Sequence, residues 1–434
     1  MRRLRTIRRS QREAVARAKK LPASAGLDSV AALRAQADQM LMADLDAVIG
    51  DASRGYVLAG TTAVPAVVAA SATSRSVVYV VPGFGAGAAI RLEAPETGRE
   101  LCESITLPDL GLDAVRAQGK KVREVLASDE RRIRVRNQAV QEAHEAVGAA
   151  VWGPVLDAWP ELGGGRVALI PLGESALLPL YTAPVDGTPA CGLMDLTVVP
   201  SGDALMFAGA WPRPATRDPL IVADPWYDDG EGGRPIPFTV PEARTVAAIH
   251  GVEPVILREP EQASEEGEGD RLRTTVGPAR PVPPSGEAPH DLAHRITAAN
   301  LVHLAGHGTL DAHEPLRSAI LLGRPLPLSA LLEHDIQRGT TVVLSACHLA
   351  GIGTHLPGEQ LGFPAAMLAM GASSVIAALW SMPDSEQTVA LMSWLHEELS
   401  GEASPSVALG RAVTRAMAEG IPATVWGPFT HFGA

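Results

Sequence analysis

Cysteine is scarce in this chain. Three residues, Cys102, Cys191 and Cys347, are too few and too scattered for a disulfide framework or a cysteine-based zinc site. An odd count also fits a reducing compartment better than an oxidising one. Aromatic residues make up 4 % of the chain, so the core must be built from Ala, Val and Leu. Positive charge is short as well. The net charge of -12 excludes nucleic acid as the main partner, because phosphate contacts need clustered Lys and Arg. The exception is the first twenty residues, where seven Arg and two Lys face one acid, Glu13. That stretch reads as a short basic helix, with a membrane-surface or acidic-partner contact as the alternative. It lacks the apolar region of a secretory signal. The most apolar early stretch, Tyr56 to Ala72, is interrupted by Pro65 and thin in large side chains, so no membrane span is expected. No period near 34 residues repeats, which excludes a helical-repeat array. A cytoplasmic protein is expected.

What is present suggests three parts. Residues 1–74 read as an N-terminal helical segment, with apolar residues at three-and-four spacing in Glu13–Lys20 and Val30–Val48. Residues 75–214 form a second unit. In it the strand Ser76–Val81 is followed by Gly83, Gly85 and Gly87 and then by Ala88–Leu92. No Lys-Ser/Thr follows these glycines, so they read as a hairpin rather than a phosphate loop. Helix is expected over 113–160, and a strand over Arg166–Ile170. Gly173-Glu-Ser175 lacks the second glycine of a nucleophile elbow, so Ser175 reads as a turn serine. A cluster of Pro212, Arg213 and Pro214 marks a boundary. Residues 215–434 then alternate strand and helix, which implies a mainly parallel sheet covered on both faces. Inside this part, Glu259–Pro289 holds six prolines, four glycines and seven acids. It cannot bury enough surface to offset its ordering entropy and reads as a disordered loop. The chain is expected to end in an edge strand, Thr424–Phe429.

Two apolar runs carry the chemistry. Leu301-Val-His-Leu-Ala-Gly-His-Gly308 ends on a histidine between glycines, and Thr341-Val-Val-Leu-Ser-Ala-Cys347 ends on a cysteine. Both read as buried parallel strands. In open α/β sheets, chemistry sits beyond the carboxyl ends of the strands, so His307 and Cys347 face one crevice. A thiol, with an unperturbed pKa of about 8.5, becomes a nucleophile when a neighbouring imidazole lowers that value. The imidazole then protonates the leaving amine. Gly306, Gly308 and Ala346 leave room for a substrate backbone. The amides of Gly308 and Cys347 offer an oxyanion hole, worth about 3–4 kcal/mol per donor. On the residues alone, an inert buried cysteine remains the alternative. His303 lies four residues before His307 on a strand, about 13 Å away, so the two are no zinc pair. It reads as a core histidine. His313, His334, His348 and His355 suggest no metal site, and no metal or cofactor is expected.

These segments resemble the CHAT family, caspase-like peptidases of the clan that includes caspases and separase. The resemblance rests on His303-Leu-Ala-Gly-His-Gly308, Glu314-Pro-Leu-Arg-Ser-Ala-Ile-Leu-Leu322, Val342-Val-Leu-Ser-Ala-Cys347, Gly358-Glu-Gln-Leu-Gly362, Ala378-Leu-Trp-Ser-Met-Pro-Asp384 and Trp426-Gly-Pro-Phe429. It covers residues 215–434 and, more weakly, reaches back to residue 75 through Arg166–Pro171 and Leu178-Pro-Leu180. It implies a caspase-like α/β/α protease domain over 215–434, preceded by a degenerate caspase-like unit over 75–214. It implies that His307 is the general base and acid and Cys347 the nucleophile, with Gly308 and the Cys347 amide as the oxyanion hole. Ser345, Trp380, Asp384 and Glu359 become candidates for the substrate pocket. Glu359 is also explained as an acid at a helix N-terminus.

This chain departs from the family pattern in places. His348 follows the nucleophile where many relatives carry an acid. Ser345 stands where caspases carry a pocket glutamine, and no arginine follows Trp380. Both differences argue against cleavage after Asp. Asp384 has two readings. Asp384-Ser-Glu-Gln387 has the form of a capping box, while separase-like relatives share a Leu-Trp-x-x-x-Asp pattern whose acid selects arginine. The expected function is cleavage of a protein partner in a regulated bacterial system, with a regulatory protein partner possible. The alternatives are a catalytically silent scaffold and a small-molecule hydrolase with the same dyad.

Overall fold

The computed structural model describes residues 75–93, 101–127, 133–201, 218–227, 234–257, 289–311, 314–351 and 362–433, with a few single positions between 204 and 214. The expectations for the N-terminal segment 1–74, for 259–288 of the acidic loop and for Glu359, His313 and His355 lie outside the described residues.

The first half supplies β1 (Arg75–Val81), β2 (Gly87–Glu93), β3 (Leu101–Leu107), α1 (Leu112–Ala127), α2 (Ile133–Val147), β4 (Arg166–Pro171) and β5 (Asp195–Val198). The second half supplies β6 (Pro219–Ala223), α3 (Thr239–His250), β7 (Val255–Ile256), α4 (Pro289–Ala298), β8 (Leu301–Ala305) and β9 (His307–Thr309). It continues with β10 (Ala319–Leu322), β11 (Arg324–Pro327), β12 (Thr341–Ser345), α5 (Phe363–Met370), β13 (Ser374–Ala378), α6 (Glu386–Ser400), α7 (Pro405–Ala418) and β14 (Phe429–Gly433). Leu328–Leu331 forms a single helical turn between β11 and β12.

One eleven-stranded, mainly parallel sheet runs through both halves in the order β7, β6, β8, β12, β13, β14, β5, β4, β1, β2, β3. Every residue of β8, β12 and β13 is buried, as expected of parallel strands covered on both faces. β1 and β2 pair antiparallel across the glycine turn, which is the hairpin read from the sequence.

The end of the chain differs from expectation. Ala423–Trp426 is a helical turn, and the strand starts only at Phe429. That strand is central, not an edge: β14 pairs antiparallel with β13 and meets β5 in parallel at Phe432 and Val198. Its polar residues disguised it. His431 is fully buried, with Nδ1 on Thr197 Oγ1 at 2.8 Å and Nε2 on Ser374 Oγ at 3.1 Å. Both ring nitrogens are satisfied by the flanking strands, so a histidine is accommodated at the seam. Because β14 is antiparallel to β13 and parallel to β5, the strands β5, β4 and β1 run opposite to β6, β8, β12 and β13. Helices α3 and α6 pack on one another, and α3 packs on β6 and β8. Among the described residues no helix is long and apolar enough to cross a membrane.

Candidate active site

β8 and β12 are adjacent parallel strands in register, Ala305 opposite Ser345. The ladder ends with Gly306 N–H donating to the Ser345 carbonyl at 3.3 Å. His307 and Cys347 each lie two residues past that last pair, so they leave the sheet side by side at the same level. The chain then turns into β9, which pairs with β10 through His307 opposite Leu321. Gly308 lies against the turn at Cys347: a Cβ there would stand 2.1 Å from the Cys347 carbonyl oxygen and 3.0 Å from Leu349. No side chain fits, and the absence of one lets the two backbones touch. The structure therefore brings together His307, Gly308 and Cys347.

The turn after Cys347 is strained. His348 adopts φ 63°, a left-handed conformation costing a non-glycine residue about 1–2 kcal/mol. Its ring Nε2 meets Ser381 Oγ at 2.7 Å. Ala350 N–H donates to the Ala378 carbonyl at 2.9 Å. The turn after Cys347 is thus tied to the end of β13 and the segment that follows it. Burial pushes the His348 imidazole below its ordinary value, so this residue brings a neutral ring where an acid was expected from relatives.

Cys347 is half-buried, and its thiol donates to the Met382 carbonyl at 3.9 Å. Burial pushes the thiol up from its ordinary value, and the Asp384 charge pushes the same way. The Met382 carbonyl contact opposes this, and the His307 imidazole contributes no lowering in this conformation. Cys191 is buried and its thiol is raised far above the ordinary range by desolvation, while Cys102 is exposed.

Asp384 is not the cap of its own helix. Ser385 takes that position: its hydroxyl accepts the Thr388 N–H at 3.3 Å. The extended backbone of Ser385, φ -158° and ψ 161°, is the geometry an N-cap needs. Asp384 instead reaches the start of α3, where its carboxylate oxygens accept the Phe238 N–H at 3.2 and 3.4 Å. It is exposed rather than buried. Desolvation by the surrounding protein raises its pKa to about 6; the Phe238 N–H opposes this and the Glu242 charge adds to it.

The other pocket candidates are buried. Ser345 is 2 % exposed and its hydroxyl has no partner among the described residues. Trp380 is 5 % exposed and packs edge-on against the buried His144 of α2, ring centroids 5.8 Å apart. Its indole N–H has no hydrogen-bond partner among the described residues. Ser175 is a buried turn residue donating to Leu172 O at 2.7 Å.

Sequence reasoning left Glu242 unassigned. It is buried on α3, and His303 Nε2 lies 2.9 Å from its Oε1. His303 is fully buried, as a core histidine would be. The available signal was an acid on the Ala- and Val-rich face of a helix flanked by two strands.

The family model for the CHAT domain matches residues 141–434. The chain belongs to the CHAT domain family. The CHAT chain is also similar in structure to a chain of the Saccharomyces cerevisiae separase–securin complex. That match has a TM-score of 0.50 at 11 % sequence identity, and covers 83 % of this chain and 30 % of the other. At that identity the likeness is one of fold, and the fold is caspase-like. No curated protein matches the sequence. In this CHAT domain three of the segments that carried the resemblance meet: the ends of β8 and β12 and the segment after β13, through Cys347 to Met382 and His348 to Ser381.

Proposed function

We propose that this CHAT protein is a cysteine endopeptidase in which His307 and Cys347 form the dyad. The observation that carries the reading is the register of β8 and β12, which sets the two residues at one level with Gly308 against the Cys347 carbonyl. In the reaction, His307 takes the thiol proton and Cys347 Sγ attacks the scissile carbonyl. The oxyanion meets the amides of Gly308 and Cys347. The C–N bond breaks as His307 passes its proton to the leaving amine. Water, activated by the same imidazole, then hydrolyses the thioester and frees Cys347.

Asp384 supports a preference for arginine or lysine before the cut. It is exposed at the crevice, and an incoming cation replaces lost hydration with a charge-assisted pair. The same cation offsets the Asp384 charge that raises the Cys347 thiol, so a basic substrate assists its own nucleophile.

The setting is proposed on resemblance: a cytoplasmic bacterial system with a protein substrate and a regulatory protein partner. The separase of similar fold is itself held in a complex with a second protein, securin. Residues 75–214 are read as a degenerate caspase-like unit. The reversed direction of β5, β4 and β1 and the deeply buried, unreactive Cys191 support this.

The test is cleavage of an arginine-containing peptide library. Cys347→Ala and His307→Ala are each expected to abolish cleavage while the melting temperature holds. Cleavage surviving Cys347→Ala overturns the assignment. A catalytically silent scaffold is the second reading, favoured by the upward shift of the Cys347 thiol. Under it the wild type cleaves no library member. A small-molecule hydrolase, the third, would turn over simple thioesters but no peptide.

A further inference from the structure

Behind the Asp384 segment stands a line of four titratable side chains. Glu242 of α3 meets His303 of β8, Oε1 to Nε2, at 2.9 Å. His303 Nδ1 meets His396 Nε2 of α6 at 3.0 Å. His396 Nδ1 meets His250 Nε2, at the end of α3, at 2.9 Å. His303 and His396 are fully buried and Glu242 is 3 % exposed, while His250 reaches the surface. The rings stand edge-on, with centroids 4.9 and 5.1 Å apart.

This is a chain, not a metal cage. His303 and His396 each spend their two nitrogens on two different neighbours, so the four groups do not converge on one point. Among the described residues no group of three or more His, Cys, Asp or Glu is arranged to hold a metal ion.

The chain has a direction. With Glu242 ionised, His303 donates from Nε2 to it, His396 donates from Nε2 to His303, and His250 donates from Nε2 to His396. All three rings are then neutral Nε2–H tautomers. A proton taken up at His250 passes inward by one shift per ring and turns the line into a cation facing Glu242. The elements packed around the line add the exposed Arg244 on α3. On α6 they add the exposed Glu386, Glu397, which lies 3.7 Å from Arg415, and Glu398, which pairs with Arg411.

The inner end of the line adjoins the pocket acid. The Phe238 N–H holds the Asp384 carboxylate, and the Phe238 carbonyl accepts the Glu242 N–H at 3.0 Å. We propose that Glu242 and the His303–His396–His250 chain are positioning residues that set the charge of Asp384, so that the preference for a basic substrate is governed by a proton exchanged at His250. The proposal rests on Asp384 being the pocket acid. When the chain is neutral, the Glu242 charge opposes ionisation of Asp384. When the chain carries an extra proton, it offsets Glu242 and Asp384 stays ionised at lower pH. The chain thus extends the pH range over which the pocket accepts arginine.

The experiment is the pH profile of kcat/KM on an arginine peptide, with the Asp384 carboxyl followed by NMR in protein labelled with 13C-aspartate. Glu242→Gln keeps an acceptor for His303 but removes the charge. It is expected to move the acid limb down by about half a unit, a rise of about twofold at about pH 5.5 that fades by about pH 8. His250→Gln keeps the donor to His396 but takes up no proton. It is expected to move the limb the other way, with a loss of about twofold at about pH 5.5. The Asp384 resonance should titrate with the limb in each case. Profiles of both variants that superimpose on the wild type after scaling overturn the proposal, because a purely structural chain changes activity equally at every pH. His250 reaches the surface, so its variant decides the matter if Glu242→Gln does not fold. If Asp384→Asn leaves arginine turnover unchanged, the pocket reading has failed. If that variant loses turnover while neither chain variant moves the limb, only the present inference has failed.

Discussion

Asp384 separates two effects that usually travel together. Its charge raises the Cys347 thiol, and under the proposed function it also attracts a basic substrate. Asp384→Asn is therefore expected to cut turnover of arginine peptides while speeding alkylation of Cys347 by iodoacetamide at neutral pH, read by mass spectrometry of each cysteine. A fall in both rates would mean that the substitution had disturbed the crevice. Since the Asp384 pKa stands at about 6, arginine turnover should decline as pH falls through that value and the carboxylate takes a proton. Gly308 gives the sharpest steric test. Gly308→Ala drives a methyl group into the Cys347 carbonyl, and displacement of one oxyanion donor costs about 10²–10³ in kcat. Unchanged kcat in that variant would remove Gly308 from the oxyanion hole. At this scale the sequence was informative about His307, Gly308 and Cys347, because a strand end fixes their position. It was not informative about Asp384, since a capping motif and a pocket acid are written with the same letters. The structure gives the cap to Ser385 and sets Asp384 against the Phe238 N–H, a contact that spans 146 residues.

Among the elements, β8, β12 and β13 were legible because strands buried on both faces are unbroken apolar runs. β14 was not, because Phe429-Thr-His-Phe-Gly433 carries a buried histidine, His431, whose partners come from the flanking strands. The histidine line was invisible for the same reason: its members come from α3, β8 and α6, and each looks ordinary in its own segment. The start of α6 carries its own prediction. Ser385→Ala removes the hydroxyl that accepts the Thr388 N–H and is expected to cost about 1 kcal/mol. Urea unfolding measures this. An equal loss from Asp384→Ala with none from Ser385→Ala would return the cap to Asp384.

For the whole molecule, β14 joins two half-sheets of opposite direction into one. β14 therefore ties the half carrying His307 and Cys347 to the half carrying β5, β4 and β1. The acidic, proline-rich stretch 259–288 makes the opposite prediction. Its composition cannot support a core, and changing loop length alters closure entropy by only about 0.6 kcal/mol per doubling. Replacing it with a short Gly-Ser linker should leave the melting temperature nearly unchanged. A large drop would mean that the stretch packs against the fold. A loss of activity at unchanged stability would make it a gate over the crevice.

The central claim is that His307 and Cys347 form a working dyad beside an acidic pocket. A thiol-reactive peptide probe ending in arginine tests it most directly, with the labelled residue located by mass spectrometry. The account predicts a single adduct on Cys347, formed faster than with a probe ending in aspartate, and lost in His307→Ala. Labelling that spreads over Cys102 and Cys347 alike, or an adduct on Cys347 that forms as fast without His307, would contradict it.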